Sequence, residues 1–356
     1  MEKKMKIAFL SFYSGEIYRG VETYVHSLSN ELIKLGVDVT VYQNGPTHKD
    51  AKYKTISIDL KIDWNKKSSI IPMMNYWSLL IRRFTKKVLN NIGKDVDIVI
   101  PTNGQWQSIL CSIWAKFNHK KIIISGQSGP GLDDRINLWT FPNNFIALTN
   151  SQQKWAKSAN FFVKSSKIPN GVDLNKFTLK AKSLKIDLPR PIILNVAALQ
   201  DWKRQELAIK GVAELNEGSL LLVGKGSEEN HLQDLGNKLL PNRFKIMNFP
   251  HDEMPAVYEA CDLFTFPTVP WESFGIVMVE AMASGLPIVA TDDPIRREIV
   301  GNAGLFVDPK DTEKYARILT KALEIKWGNA PRKQAEKFSW DDIAKKYKKL
   351  FNDLLK

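Results

Sequence analysis

The sequence has few of the features that mark secreted, membrane-spanning or disulfide-stabilised proteins. Cys111 and Cys261 are the only cysteines among the 356 residues, which excludes a disulfide framework and a cysteine-based metal site. No apolar stretch approaches the roughly 20 residues that a membrane-spanning helix needs. The apolar run at residues 7–12 is too short for the core of a signal peptide. We therefore expect a cytoplasmic protein.

Metal-binding patterns are also missing. The five histidines lie at positions whose spacing does not indicate metal ligation: His26, His48, His119, His231 and His251. We therefore expect no metal and no other cofactor.

Positive charge is concentrated in one half of the chain. Residues 1–180 hold 26 Lys and Arg against 13 Asp and Glu, whereas residues 181–356 hold 25 of each, so the net charge of +13 belongs to the first half. Such an asymmetry indicates an anionic partner: a membrane, a nucleic acid or a phosphorylated acceptor. A basic domain that is merely soluble would show the same count.

Residues 64–94 form a basic amphipathic segment. Six apolar residues recur at helical spacing, with Pro72 tolerable in the first turn: Ile70, Met73, Trp77, Leu80, Phe84 and Val88. Six basic residues surround them: Lys66, Lys67, Arg82, Arg83, Lys86 and Lys87. Together with Trp64, this pattern fits a helix lying on an anionic membrane surface. It fits equally well a helix that covers a sheet and exposes a basic face.

Short apolar strands alternate with helices along the whole chain, which predicts an α/β protein with parallel sheets. We expect strands near residues 6–11, 37–42, 96–100 and 121–124, and again from 192–196 onwards. A polar segment at 176–190 that ends in two prolines separates the two series. The sequence therefore predicts two Rossmann-like domains, at residues 1–175 and 190–339.

The stretch from 263 to 290 is the centre of the second series. An apolar strand leads through a loop containing Glu272 and Gly275 into a helix that is apolar on every side except at Glu280. A helix N-terminus with a glycine beside it is suited to an anion such as a diphosphate. Each glutamate alone is more simply a loop carboxylate or a paired core residue. The two together, around this turn, favour a binding site.

This stretch resembles a known family. The pattern E-x(7)-E followed by A-M-A-x-G-x-P-[IV]-V-A-[TS] is similar to that of the retaining glycosyltransferases of family 4, which have the GT-B fold of two facing domains and a cleft. The resemblance implies that Glu272 contacts donor-sugar hydroxyls and that Glu280 holds the nucleotide ribose. The backbone of Ser273, Phe274, Gly275 and Ile276 would meet the diphosphate. The C-terminal helix, residues 340–356, would pack back onto the first domain.

The resemblance implies further donor contacts. Lys203 matches the family's diphosphate-binding lysine, and the adjacent Arg204 could replace the usual arginine, whose position is taken by Ala198. Cations at a helix start oppose the helix dipole unless an anion binds there. Gly224 and Gly226 would border the nucleotide pocket, although G-x-G alone is weak evidence. Phe249 would lie near the base.

Acceptor contacts are expected in the first domain. Gly20 matches the family's glycine pair, whose first member is Arg19 here; Gly20 is equally a turn residue. Gln127 stands where many members have a histidine, so no catalytic histidine is implied. Asp133 and Asp134 would contact acceptor hydroxyls or serve as ordinary loop charges.

The resemblance thus implies metal-independent, retaining transfer of a hexose from a UDP- or GDP-sugar to a saccharide or lipid-linked acceptor, in cell-envelope or exopolysaccharide synthesis. An anionic surface at the inner face of the membrane is a further expected partner, whereas nucleic-acid binding would explain the charge but not the motifs. Two alternatives remain. One is a nucleotide-sugar epimerase or hydrolase of the same fold. The other is a non-catalytic sugar- or partner-binding protein, with which Ala198 and Gln127 are compatible.

Overall fold

A computed structural model describes residues 4–66, 73–179 and 184–356 of the chain. The chain forms two compact units, one made of residues 1–170 and 340–356 and the other of residues 171–339. The sequence analysis placed the end of the first domain slightly later, at residue 175. Part of the linker predicted at 176–190 lies outside the described residues.

The first unit is built on a seven-stranded parallel sheet in the order β3-β2-β1-β4-β5-β6-β7. Its strands are β1 Lys6–Leu10, β2 Asp38–Gln43, β3 Lys54–Ser57, β4 Ile98–Pro101, β5 Lys121–Ser125, β6 Asn144–Ala147 and β7 Ser165–Lys167. The connecting helices are α1 Gly20–Lys34, α2 Tyr76–Asn91, α3 Gln105–Phe117, α4 Leu132–Trp139 and α5 Asn150–Ala159. The central strands are buried on both faces, which explains their continuous apolar runs.

The C-terminal helix, Trp340–Leu355, belongs to this first unit. Its buried residues join the core that covers one face of the sheet. The hydroxyl of Tyr347 donates a hydrogen bond to that of Tyr24 in α1, over 3.1 Å. The last helix therefore closes a core formed by the beginning of the chain.

The amphipathic helix α2 is shorter than the segment that predicted it. Asn75 caps its first turn by accepting a hydrogen bond from the Ser78 amide, so the helix begins only at Tyr76. Lys67, Ile70 and Pro72 lie outside the described residues. Leu80, Phe84 and Val88 pack into the core of the unit. Helix α2 therefore covers the sheet and exposes its basic face, because its apolar side chains are buried in the core of the unit.

The second unit has a six-stranded parallel sheet in the order β10-β9-β8-β11-β12-β13. Its strands are β8 Ile192–Val196, β9 Ser219–Val223, β10 Phe244–Met247, β11 Leu263–Phe266, β12 Ile288–Thr291 and β13 Gly304–Val307. Its helices are α6 Gln205–Ala213, α7 Glu229–Leu239, α8 Met254–Glu259, α9 Ile276–Ala283, α10 Pro294–Val300, α11 Thr312–Glu324 and α12 Ala330–Ala335.

Two parallel-sheet, Rossmann-like domains confirm the predicted α/β class. In each sheet the strand order reverses beside the unit's first strand, and the carboxyl ends of parallel strands share one edge. Ligands of such sheets bind outside that edge, near the reversal. Within the described ranges, no helix is long and apolar enough to cross a membrane.

Candidate functional site

An ion pair joins two loops at the carboxyl edge of the second sheet. Lys203 lies in a 3-10 turn after β8, and Glu272 lies in the loop after β11. The ammonium of Lys203 donates to both carboxylate oxygens of Glu272, over 2.6 and 2.7 Å. The Thr268 hydroxyl donates to Oε2 of the same carboxylate over 2.8 Å. Both charged side chains are about one-sixth exposed, so the pair can meet a ligand.

Arg296, which the sequence analysis did not single out, is hydrogen-bonded to the loop that contains Glu272. Its side chain is fully buried and is paired with Asp293 over 2.7 Å. The guanidinium also donates to the backbone carbonyls of Val269, Pro270 and Glu272. The only hint in the sequence was Asp293-Pro294 at a helix start with an arginine three residues after the aspartate. Arg296 therefore ties three carbonyls of this loop to the start of α10.

Helix α9 begins next to the ion pair, at a glycine that cannot easily be replaced. Gly275 is its N-cap residue, with a φ of +82°, in the left-handed region that glycine tolerates best. A Cβ atom there would lie 2.9 Å from the Phe266 ring. None of the described side chains caps this helix end. Since the first amides of a helix lack intrahelical acceptors, this N-terminus presents donors to an anion.

Glu280 lies one turn further along α9 and is 5% exposed. The Tyr258 hydroxyl donates to its Oε2 over 2.9 Å, and the His251 ring lies 3.4 Å from its Oε1. Burial and the neighbouring Glu280 carboxylate raise the pKa of Tyr258 well above its ordinary value, so Tyr258 remains a donor at neutral pH. The sequence analysis considered a paired core residue at Glu280 but did not identify these partners.

The other residues that the sequence analysis predicted to contact the nucleotide sugar lie in neighbouring loops. Arg204 is the N-cap of α6 and has left-handed backbone angles. A Cβ atom at Gly224 would lie 2.0 Å from the Ala197 carbonyl oxygen, and one at Gly226 would lie 2.0 Å from that of Leu199. These two glycines therefore allow the loops after β8 and β9 to touch. Phe249 is half-buried in the loop after β10, and its role near the base stays a prediction.

The residues predicted for the first unit differ widely in exposure. Arg19 and Gly20 are exposed at the start of α1, where Arg19 is the N-cap residue. Gln127 and Asn170 exchange two amide hydrogen bonds of 2.9 and 3.0 Å. Asp133 is partly exposed and accepts a hydrogen bond from Gln105 over 2.9 Å.

Asp134 is fully buried. Its carboxyl oxygens accept hydrogen bonds from the side chains of Asn137 and Gln152, so it ties α4 to α5. Burial raises the pKa of this carboxyl to about 7. The sequence analysis did not anticipate this burial, because it depends on the packing of α4 against α5.

A further carboxyl, Glu22 in the first turn of α1, was not among the predicted site residues. It is 3% exposed, and its Oε2 has no hydrogen-bond partner within the part of the chain that the structure describes. Burial raises its pKa above the ordinary value. Across the same described ranges, no group of three His, Cys, Asp or Glu side chains is arranged to hold a metal ion.

Two family models together match most of the chain. The model for glycosyl transferases group 1 matches residues 176–351, and the model for glycosyltransferase family 4 matches residues 18–176. Among curated relatives, an uncharacterized glycosyltransferase of Methanocaldococcus jannaschii is 27% identical over 69% of this chain and 57% of its own length. A D-inositol 3-phosphate glycosyltransferase of Corynebacterium jeikeium is 31% identical over 52% of this chain and 51% of its own length. The matches thus span little more than half the length of these relatives.

A solved structure is similar over nearly the full chain. HepE from Anabaena, crystallised in complex with UDP and glucose, superimposes with a TM-score of 0.77. The superposition covers 98% of this chain and 99% of that chain, at 20% sequence identity. A likeness at this identity shows that the two chains share a fold.

Proposed function

The chain belongs to the family 4 and group 1 glycosyltransferases, which have the GT-B fold, and from this membership we propose that it transfers a hexose from a nucleoside diphosphate sugar with retained configuration at the anomeric carbon. The observation that carries the proposal is the Lys203–Glu272 pair beside the uncapped N-terminus of α9. These groups place a cation, backbone amides and a carboxylate at the carboxyl edge of the second unit's sheet.

The leaving diphosphate develops negative charge as its bond to the sugar breaks. In our proposal Lys203, Arg204 and the α9 N-terminal amides stabilise that charge, which is the usual electrostatic way to lower such a barrier. An ammonium has three N–H donors, and Glu272 uses two of those of Lys203, so one remains for a phosphate oxygen. No metal is needed in this scheme.

In our proposal Glu272 binds hydroxyls of the donor sugar, and Glu280 binds the ribose of the nucleotide. The charge of Glu272 is balanced by Lys203, so its carboxylate can accept sugar hydroxyls without repelling the diphosphate. The acceptor attacks on the face that the leaving group departs from, and a departing phosphate oxygen takes its proton. UDP is our first choice of nucleotide, because HepE was crystallised with UDP; a GDP-sugar is the second.

We assign acceptor binding to the first unit, with a saccharide or lipid-linked acceptor of cell-envelope or exopolysaccharide synthesis. The exposed Arg19 and Gly20 at the start of α1 offer a cation and close backbone approach. The amide of Gln127 and the carboxylate of Asp133 suit hydroxyl groups. A phosphate-bearing acceptor would fit the basic unit, and the C. jeikeium relative is described as acting on D-inositol 3-phosphate.

The first experiment measures the affinity of wild type and of a Glu280→Ala variant for UDP and GDP by calorimetry. We expect the variant to bind the preferred nucleotide at least tenfold more weakly while its thermal unfolding changes little. A variant with wild-type affinity would disprove the ribose role.

Mass spectrometry of products from a nucleotide-sugar panel, with and without acceptor, then distinguishes transfer from epimerisation or hydrolysis. Donor binding without any turnover would instead identify a non-catalytic binding protein.

A second experiment concerns the phosphate clamp. Replacing Lys203 and Arg204 together by Ala should weaken UDP binding far more than uridine binding, because only UDP carries the diphosphate. Equal losses for the two ligands would show that the pair does not bind phosphate.

We also propose that the protein is cytoplasmic and that its first unit docks on an anionic inner membrane surface. The apolar stripe of α2 is buried, so α2 would contribute only its basic face. Five aromatic side chains near the ends of α3, α4 and α5 are at least 43% exposed: Phe117, Trp139, Phe141, Phe161 and Phe162. Residues 105–167 hold eight Lys and Arg against two acidic residues. Exposed aromatic rings among cations are typical of membrane-surface binding.

Liposome sedimentation tests this docking. Wild type should bind anionic vesicles at low salt, and less at 1 M salt, where the Debye length falls to about 3 Å. Replacing Phe117, Phe161 and Phe162 by Ser should abolish the salt-resistant part of binding. Replacing Arg83, Lys86 and Lys87 by Gln should reduce the salt-sensitive part. If wild type ignores anionic vesicles, a soluble saccharide becomes the better acceptor.

A further inference from the structure

The two glutamates of the site are held by different kinds of partner. Glu272 is paired with the cation of Lys203. Glu280 has the Tyr258 hydroxyl on one oxygen and the His251 ring near the other. Whether His251 is a donor or an acceptor towards Glu280 depends on which ring nitrogen carries the proton.

Lys176 decides that question. Its ammonium lies 2.9 Å from Nδ1 of His251 and 2.6 Å from the Asp252 carboxylate. An ammonium can only donate, so Nδ1 must accept, and the ring proton of neutral His251 must be on Nε2. Nε2 is the atom that faces Glu280. The Phe177 ring packs edge-to-face against both His251 and Tyr258, with centroids 5.8 Å away in each case, and limits their rotation.

Doubly protonated His251 would turn an Nδ1–H towards the ammonium of Lys176. Asp252 pairs with that ammonium but its side chain is 92% exposed, so solvent screens its charge and it orients Lys176 more than it neutralises it. Lys176 and Glu280 lie within hydrogen-bond distance of the His251 ring, and the Phe177 ring packs against it.

We propose that Lys176, oriented by Asp252, fixes His251 as the neutral Nε2–H tautomer, and that His251 and Tyr258 together hold an ionised Glu280 ready for the ribose hydroxyls. His251 is then a positioning residue, which acts through Glu280. An ionised carboxylate has about four lone-pair sites, and two neutral donors occupy two of them. Two sites remain for the vicinal 2′- and 3′-hydroxyls. The ribose half of this inference rests on the proposed function; the tautomer half does not.

The tautomer is measured without any ligand. Nitrogen-15 NMR of the histidine side chains at pH 7.5 distinguishes Nε2–H, Nδ1–H and doubly protonated rings, and a His251→Gln variant assigns the His251 signals. We expect an Nε2–H ring in wild type and a mixture of tautomers in Lys176→Met. The control is Lys245→Met, which removes a lysine from the surface pair with Asp187 in the same unit. An Nδ1–H or doubly protonated ring in wild type would overturn the proposal.

The consequence for binding is measured with UDP and GDP, each compared with its 2′,3′-dideoxy analogue. His251→Leu should weaken the preferred nucleotide about tenfold, as expected for losing a hydrogen bond to a charged group. The dideoxy analogue should bind wild type and variant alike. His251→Gln should restore most of the affinity, because the Gln amide nitrogen takes the place of Nε2. Equal losses for both ligands, or no rescue by Gln, would contradict the positioning role.

Failure of the proposed function gives a different result. If Glu280→Ala leaves nucleotide affinity unchanged, the ribose role is wrong, whatever the NMR shows. If Glu280→Ala weakens binding but the wild-type ring is not Nε2–H, the proposed function stands and this inference falls.

Discussion

The two units have similar sheets but different chemistry at the carboxyl edge. In the second unit that edge carries charged groups with defined partners: Lys203 with Glu272, and Arg296 with Asp293. In the first unit it carries the exposed Arg19, neutral amides such as the Gln127–Asn170 pair, and buried carboxyls whose pKa values are raised. Cations and helix N-terminal amides suit a diphosphate, whereas side-chain amides suit hydroxyls. The contrast therefore agrees with donor binding by the second unit and acceptor binding by the first.

The largest effect should come from the buried arginine that supports the charged edge. Arg296→Met leaves Asp293 buried without its cation and frees three loop carbonyls, so we expect the free energy of unfolding to fall by about 3–5 kcal/mol. Arg297→Met is the matched control, because Arg297 pairs with Asp292 at the surface and is 58% exposed. Surface pairs contribute about 1 kcal/mol or less. Urea unfolding of both variants measures the difference in the free energy of unfolding. Equal losses would show that Arg296 does not stabilise the fold more than a surface arginine does.

The next effect concerns activity rather than stability. Lys203→Met should lower kcat/KM for transfer by about 10²–10³-fold, the usual loss when one electrostatic contact to the transition state is removed. Lys210→Met, which breaks a surface pair with Glu206 on α6, should leave activity near wild type. Initial rates with a saturating acceptor measure both. A Lys203 variant with normal kcat/KM would show that the charged edge of the second unit is structural.

A smaller effect tests the neutral edge of the first unit. The pKa of Asp134 is raised to about 7 in the folded state, above its ordinary value of 3.8. Its contribution to stability is therefore fully present below about pH 3.8 and is lost as the pH rises through 7, with a slope of at most about 1.4 kcal/mol per pH unit. Asp134→Asn should flatten the change in the free energy of unfolding between pH 5.5 and 7.5. A variant with the wild-type slope would show that Asp134 is ionised throughout.

The smallest effect compares one glycine from each unit. Gly36 and Gly275 both have a φ of +82°, but a Cβ atom would meet nothing within 4 Å at Gly36 and the Phe266 ring at Gly275. Gly36→Ala should cost about 1 kcal/mol for the left-handed backbone alone. Gly275→Ala should cost about 1 kcal/mol more and also lower activity, because the start of α9 must shift. Thermal unfolding of the two variants measures the difference; equal costs would show that the Phe266 contact is easily relieved.

Several elements were predicted closely from local pattern. The strand Ile192–Val196 has the bounds that the sequence predicted, and the strands Asp38–Gln43 and Lys121–Ser125 lie within one residue of the predicted bounds. The start of α2 was wrong, because the Asn75 cap outweighs the apolar spacing before it. The sequence analysis also did not anticipate that Asp134 is buried. The first error overlooked a local cap, whereas the second concerns a contact outside the residue's own segment, between Asp134 and Gln152.

The sequence alone determined the alternation of strands and helices and the two glutamates around the turn at Gly275. Those features depend on neighbours in the chain: apolar runs, glycine and proline positions, and a short motif. Only the tertiary structure decided which group holds each carboxylate. Lys203 meets Glu272 across 69 positions and Tyr258 meets Glu280 across 22. Such pairs form because the strand order of a parallel sheet brings separate loops to one edge, and that order cannot be determined from any single stretch of sequence.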